Sequence, residues 1–199
     1  MINYVKEAHT AIFTGPTSCG KTQRVLDLIE KEYKGHFDNI VILCPTLRWN
    51  RTYLNRPWIQ GDDYVFVFEP KENLLKIIEK LSSLLSGERT LFIVDDVIAD
   101  ETLDKTRGAL LDIAISGRHR NHSLWMLTQR YKKLPITVRD QAKQLFVWYP
   151  KSRHEFELIA EENDVEKNLI PEIKERLKAE KHACLYVRLE HPRDFKVLK

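Results

Sequence analysis

The segment Gly15-Pro16-Thr17-Ser18-Cys19-Gly20-Lys21-Thr22 constrains this chain more than any other. It satisfies G-x-x-x-x-G-K-[ST] in full. An apolar run, Ala11–Thr14, leads into it, and a stretch of helical character, Thr22–Tyr33, leaves it. Strand, glycine loop and helix in that order make a cradle for phosphate. Gly15 and Gly20 are expected to take backbone angles that a side chain would forbid. The loop amides then turn inward towards phosphate oxygens, and the helix adds its positive end. Lys21 is expected to reach β- and γ-phosphates, and the Thr22 hydroxyl to ligate Mg²⁺. Every residue from Gly15 to Thr22 is therefore a candidate contact for ATP with Mg²⁺.

Such a loop needs a parallel sheet around it, and the rest of the sequence supplies strands separated by helices. Asn39–Cys44, Tyr64–Phe68, Leu91–Val94, Leu124–Leu127 and Leu145–Trp148 read as strands. Glu72–Leu85 carries Leu and Ile at three- and four-residue steps and reads as an amphipathic helix ended by Gly87. Thr102–Ile115, Arg153–Glu161 and Val165–Lys181 are further helical stretches, and Cys184–Leu189 and Phe195–Leu198 are late strands. The expected fold is α/β, a P-loop NTPase domain with a mainly parallel central sheet flanked by helices, the late strands joining antiparallel at an edge. With 199 residues, 43% of them apolar, and no Pro/Gly/Ser linker, the chain is expected to be one domain spanning 1–199. Its motifs fall in a core of about 10–149, followed by a helical and strand extension of about 150–199. No apolar run approaches the ~20 residues that span a bilayer, and MINYVKEAHT does not read as a secretory signal. Three scattered cysteines fit a reducing compartment rather than a disulfide framework. His119, His122 and His154 suggest no metal triad.

TLFIVDD, residues 90–96, is a buried strand run ending in two carboxylates. Beside a phosphate loop, Asp95 is expected to hold Mg²⁺, usually through water, and Asp96 to orient or deprotonate the attacking water. The two would face opposite sides if the strand continued through both. Gly117–Arg139 holds six Lys/Arg (Arg118, Arg120, Arg130, Lys132, Lys133, Arg139) and no acid. Its apolar centre ends in Thr128-Gln129, where an amide can hydrogen-bond both a phosphate oxygen and the attacking water. Gln129 is therefore a candidate sensor. Arg118 or Arg120 could neutralise charge on a neighbouring subunit's γ-phosphate. A net charge of only +3 proves no nucleic-acid partner. The candidate nucleic-acid contacts are Arg130, Lys132 and Lys133, or Arg48, Arg51 and Arg56 with Trp49, Tyr53 and Trp58 interleaved. The acidic positions from Glu155 to Glu166 are expected to be solvated or to face a partner.

FIVDD, with an arginine eleven residues ahead of a Thr-Gln strand end, resembles the FtsK–HerA class of DNA-pumping ATPases. Within that class, GPTSCGKT, CPTLRWNRTY and SGRHRNHSLWMLTQ resemble the poxvirus-type genome-packaging ATPases, over roughly Thr10 to Tyr149. The resemblance implies a RecA-like fold, a homo-oligomeric ring with ATP sites between subunits, and translocation of double-stranded DNA into a preformed capsid. It implies a capsid or portal-like partner and work at virus assembly sites in host cytoplasm or nucleus, or in the virion. By position it makes Arg118 the trans-acting arginine and Gln129 the polar sensor. Many relatives carry Glu where this chain has Asp96, one methylene shorter, so the water must sit closer or another residue must help. Two other readings remain open at this stage: a P-loop ATPase of replication or recombination, and a nucleotide-dependent scaffold with little turnover.

Overall fold

Short runs of β-branched and aromatic residues become the strands of an eight-stranded sheet in this computed structural model, which describes residues 2–69, 74–96 and 104–199. The strands are Thr10–Thr14 (β1), Asn39–Leu43 (β2), Val65–Phe68 (β3), Thr90–Asp95 (β4), His122–Thr128 (β5), Ala142–Trp148 (β6), Cys184–Arg188 (β7) and Asp194–Leu198 (β8). They lie side by side as β3-β2-β4-β5-β1-β6-β7-β8. The first six in that order are mutually parallel, and β7 and β8 add antiparallel at one edge. This is the mostly parallel α/β sheet, with late antiparallel strands, expected from the sequence.

The helices are Lys21–Lys31 (α1), Arg51–Leu54 (α2), Pro57–Gly61 (α3), Leu74–Leu84 (α4), Asp104–Ser116 (α5), Ile136–Asp140 (α6), Arg153–Glu162 (α7) and Ile170–Ala179 (α8). The reading of Val165–Lys181 as one helix is corrected at its start. Val165–Leu169 turns before α8, and Pro171 lies in the first turn of α8, where its missing N–H costs nothing. The starts of the expected helices Glu72–Leu85 and Thr102–Ile115 lie outside the described residues.

Strand side chains alternate between faces, so each strand feeds two cores. On one face Ile12, Val41, Phe92, Val94, Leu124, Met126 and Leu145 join α5 to α8. On the other, Ala11, Phe13, Ile42, Leu91, Ile93, Trp125 and Phe146 meet α1 through Val25, Leu26 and Ile29. Phe13 and Phe146 stack across β1 and β6 with ring centroids 4.5 Å apart. The same alternation assigns Asp95, two residues beyond Ile93, to the α1 face of β4.

One polar cluster is sealed inside the α1 face. Trp125 Nε1 donates to His9 Nε2 (3.0 Å), and Gln144 Nε2 lies 2.8 Å from the same nitrogen. His9 Nδ1 therefore carries the proton, which it gives to the Glu7 carbonyl at 2.7 Å. Burial lowers the His9 pKa to about 4.

Candidate nucleotide site

Strands β4, β5 and β1 are adjacent and parallel, so the chain segments leaving their carboxyl ends emerge side by side. The phosphate loop follows β1, the acidic pair closes β4 and Gln129 follows β5. Topology alone thus gathers three motifs spread over more than a hundred residues of sequence.

The loop is braced from several sides. Gly20, at the head of α1, has φ 107°, a left-handed angle that favours glycine. Gly15 is required for a different reason from the one expected. Its backbone angle is not left-handed, but a Cβ there would come 2.6 Å from the Cβ of Trp148. The Gly15 amide donates to the Thr128 carbonyl at 3.2 Å, tying the loop to β5. Ser18, at φ 61°, makes the tight bend at the loop's crown. His182 Nδ1 lies 2.9 Å from the Cys19 carbonyl and Trp148 Nε1 donates to the His182 carbonyl at 3.0 Å, so the turn before β7 straps the outside of the loop. A carbonyl only accepts, so the proton of that strap sits on His182 Nδ1. Burial raises the Cys19 thiol pKa, opposed by the nearby Lys21 charge.

Lys21 is buried, with Nζ donating to the carbonyls of Gly15 (2.8 Å) and Pro16 (3.0 Å). Its ammonium is aimed into the loop rather than out to water. The Thr22 hydroxyl donates to Asp95 Oδ2 at 3.1 Å, and the Tyr53 hydroxyl donates to the same oxygen at 2.9 Å. Asp95 is only 6% exposed. Burial pushes its pKa up, while the Tyr53 and Thr22 hydroxyls oppose that shift. Asp96 does not continue the strand to the opposite face. It turns at φ 54°, its amide donates to the Leu127 carbonyl (3.1 Å), and its carboxylate accepts from Gln129 Nε2 at 3.0 Å.

These residues fit a magnesium nucleotide. A helix amino end, a lysine ammonium turned into the loop and a Thr–Asp pair at its base supply what phosphates and Mg²⁺ require. Beside the loop opens a cleft of about 470 Å³ whose walls include Thr17, Gln129, Arg130, Lys132 and Lys151. Two of the candidate nucleic-acid contacts therefore share a wall with the phosphate loop itself.

Other expected contacts separate. Arg118 sits on an exposed turn ahead of β5, at the end of that strand remote from Gln129. Seven strand residues span roughly 20 Å, so Arg118 lies at the far side of the sheet from the loop of its own chain. Arg120 is tied to Asp112 and to Ser116 (2.9 Å). In the 45–60 segment, Arg56 is bound at 3.0 Å by both Asp27 and Glu30, and Arg48 pairs with Glu69 at 2.8 Å. Arg56 is thus an internal brace rather than a free phosphate contact. Trp58 donates to Glu30 at 2.8 Å, whereas Trp49 is 84% exposed. Of the acidic C-terminal positions, Glu162 pairs with Arg139, Glu157 with Lys174 (3.5 Å) and Asp164 with Arg193 (3.4 Å), which ties them to this chain's own cations.

Sequence reasoning misses the roles of Tyr53, Trp148 and His182. Tyr53 belongs to the basic, aromatic stretch whose rings suggest stacking, and no local pattern announces a hydroxyl that reaches a carboxylate 42 positions away.

The fold matches solved structures of viral and conjugative ATPases. B204, the DNA-packaging ATPase from Sulfolobus turreted icosahedral virus, superposes with TM-score 0.69 at 18% identity, over 98% of each chain. The genome packaging NTPase B204 from Sulfolobus turreted icosahedral virus 2, in complex with AMP, gives TM-score 0.68 at 17% identity, again over 98% of each. The pCW3 conjugation coupling protein TcpA with ATPγS gives 0.67 at 12% identity, over 96% of this chain and 60% of that one. Among curated proteins none matches the sequence. At these identities the superpositions speak for the fold alone, but the family model of the poxvirus A32 protein matches residues 3–187, nearly the whole chain. With its phosphate loop, acidic strand end and Gln129 gathered at the carboxyl ends of three adjacent central strands, the chain belongs to the poxvirus A32 protein family of genome-packaging ATPases.

Proposed function

We propose that this packaging ATPase works as a homo-oligomeric ring that drives double-stranded DNA into a preformed viral capsid, hydrolysing ATP with Mg²⁺ at the loop Gly15–Thr22. The reading rests above all on one observation: beside the loop, the Thr22–Asp95 hydrogen bond joins α1 to β4, and the Asp96–Gln129 bond joins the ends of the neighbouring parallel strands β4 and β5. One pair serves the nucleotide, and the other runs towards the basic residues that follow β5.

Bound Mg²⁺ would be held by Thr22 and, through water, by Asp95, and supplies charge neutralisation on the phosphates. Lys21 exchanges its two carbonyl partners for phosphate oxygens, a move that needs only side-chain torsions. The amides of Pro16 to Thr22 orient the phosphate chain, and Gly15 and Gly20 allow the close approach. Asp96 accepts a proton from, or orients, the attacking water, with its carboxylate positioned by the Gln129 amide. Through that bond Gln129 senses whether Asp96 is engaged, and Arg130 and Lys132 follow it directly in the chain. Arg118, remote from its own loop, serves the γ-phosphate of a neighbouring subunit.

We also read 1–199 as one ATPase domain with a core of about 10–149. In support, the extension of about 150–199 completes the sheet through β7 and straps the loop through His182. The reading places the protein at virus assembly sites in the host cell. The test is ATP hydrolysis with and without nucleic acid. Duplex DNA should stimulate turnover, more than single strands do, and Lys21→Ala should abolish most of it while the fold survives. Stimulation confined to single strands would favour a replication or recombination ATPase, and no turnover at all would favour a scaffold.

A further inference from the structure

Tyr53 has no role in the phosphate-loop chemistry described so far, yet its phenol is sealed in the interior against Asp95. The ring is 1% exposed, and its hydroxyl shares Asp95 Oδ2 with the Thr22 hydroxyl at 2.9 and 3.1 Å. Tyr53 belongs to α2, a single helical turn headed by Asn50, whose side chain caps the Thr52 amide at 3.1 Å. The residues just ahead, Arg48, Trp49 and Arg51, are exposed, Arg48 while paired with Glu69. A surface carrying two arginines and an open tryptophan is thus fastened to the metal-binding carboxylate through one buried hydroxyl.

We propose that Tyr53 is a positioning residue which holds Asp95 for Mg²⁺ and makes the 46–54 segment move with the occupancy of the nucleotide site. The inference rests on the nucleotide-site reading given above. Asp95 Oδ2 accepts two hydroxyls in the present arrangement. Were the Thr22 oxygen to engage a cation, the carboxylate would be drawn towards it, and a buried phenol would lose the acceptor it has among the described residues only at a cost. Tyr53 therefore follows Asp95, and α2 follows Tyr53. The exposed Arg48-Trp49-Asn50-Arg51 face would thereby differ between the empty and filled states. This is the output expected of a surface that meets a neighbouring subunit or the DNA track.

The test uses the full chain and AMPPCP, with and without Mg²⁺, by titration calorimetry. Wild-type protein should bind AMPPCP more tightly when Mg²⁺ is present. Tyr53→Phe keeps the ring and removes the hydroxyl, so it should lose about ten-fold of that tightening, the worth of one hydrogen bond to a charged group. Its metal-free affinity should stay within about two-fold. A ring that serves packing alone would leave both values unchanged. As a second readout, trypsin cleavage after Arg48 and Arg51 should change rate when Mg²⁺ and AMPPCP bind to wild type. It should stop responding in Tyr53→Phe and in Asp95→Ala, which removes the acceptor and so cuts the same link from the other end. A Tyr53→Phe protein with wild-type Mg²⁺ tightening and a wild-type cleavage response overturns the inference alone. Should Tyr53→Phe not fold, a cleavage response retained in AMPPCP-bound Asp95→Ala overturns it. A wild type that binds no AMPPCP overturns the nucleotide-site reading, and this inference with it.

Discussion

Asp96 and Gln129 hold one another at 3.0 Å, so the short side chain of the aspartate has a fixed position beside the loop. The left-handed turn at Asp96 swings the carboxylate out of the strand register, and the Gln129 amide fixes where it stops. Asp96→Asn should therefore bind ATP nearly as wild type does but turn over about 10²–10⁴-fold more slowly, the range for losing a positioned acid or base. Single-turnover hydrolysis against nucleotide binding separates the two effects. Equal loss of both would remove the proposed division between Asp95 and Asp96. A second residue speaks to stability. His9 is neutral in the fold, with its pKa lowered to about 4, while an unfolded histidine titrates near 6.5. The unfolded chain thus takes up the proton first, and stability is full above the unfolded pKa and falls as the pH drops from about 6.5 towards 4. His9 alone should cost about 2 kcal/mol between pH 8 and pH 5, and His122, also lowered by burial, adds in the same direction. Urea unfolding across that range measures it. A flat profile, or one unchanged in His9→Gln, would mean that the buried cluster does not hold its histidine neutral.

At the scale of elements, the strands were legible because β-branched runs bounded by Gly, Pro and acidic residues leave little else to form, and the helix that follows the loop was fixed by the motif itself. The site was legible where one motif holds its own parts together, as in Gly15–Thr22 and the Asp95-Asp96 strand end. It was not legible where partners come from distant segments. The steric reason for Gly15 lies in Trp148, the brace on Cys19 lies in His182, and Arg56 is spent on Asp27 and Glu30 of α1. None of these follows from spacing, since each depends on how strands order in the sheet. The segment after β5 carries the next prediction. Replacing Arg130, Lys132 and Lys133 by Ala should weaken duplex binding similarly across sequences. The salt slope should fall by up to about one unit for each phosphate that the variant no longer neutralises. Because Arg130 and Lys132 line the cleft beside Thr17, a lower hydrolysis rate without DNA is expected to accompany the weaker binding. An unchanged salt slope would move the DNA track away from this segment.

For the whole molecule, the separation of Arg118 from the loop of its own chain makes a quantitative claim about assembly. Arg118→Ala should keep ATP affinity within a few-fold while turnover falls, by as much as ~10³–10⁵ if the arginine supplies a full transition-state charge. Mixed with Lys21→Ala subunits, it should regain activity. Each mixed interface of one orientation pairs an intact loop with an intact arginine. Absence of recovery in verified mixed assemblies would return Arg118 to the surface, and Arg120, already committed to Asp112, could not take its place without breaking that pair.

The position of β1 has a consequence for how the chain is made. The strand that feeds the phosphate loop, Thr10–Thr14, is synthesised long before its two neighbours, β5 and β6, which begin at His122 and Ala142. The brace from His182 comes later still, and Arg24 of α1 meets the carbonyl of Lys199 at 2.5 Å. During synthesis β1 therefore waits for these partners while β2, β3 and β4 emerge and can pair among themselves. Most of the sheet's closure is long-range in sequence, which slows folding and exposes an unpaired strand edge to aggregation. A nascent chain arrested after Tyr149 would hold every proposed nucleotide contact, from Gly15 to Gln129, yet lack the strap over Cys19. Nucleotide binding should thus be acquired late in the protein's biogenesis, once His182 and β7 have emerged and closed over the loop.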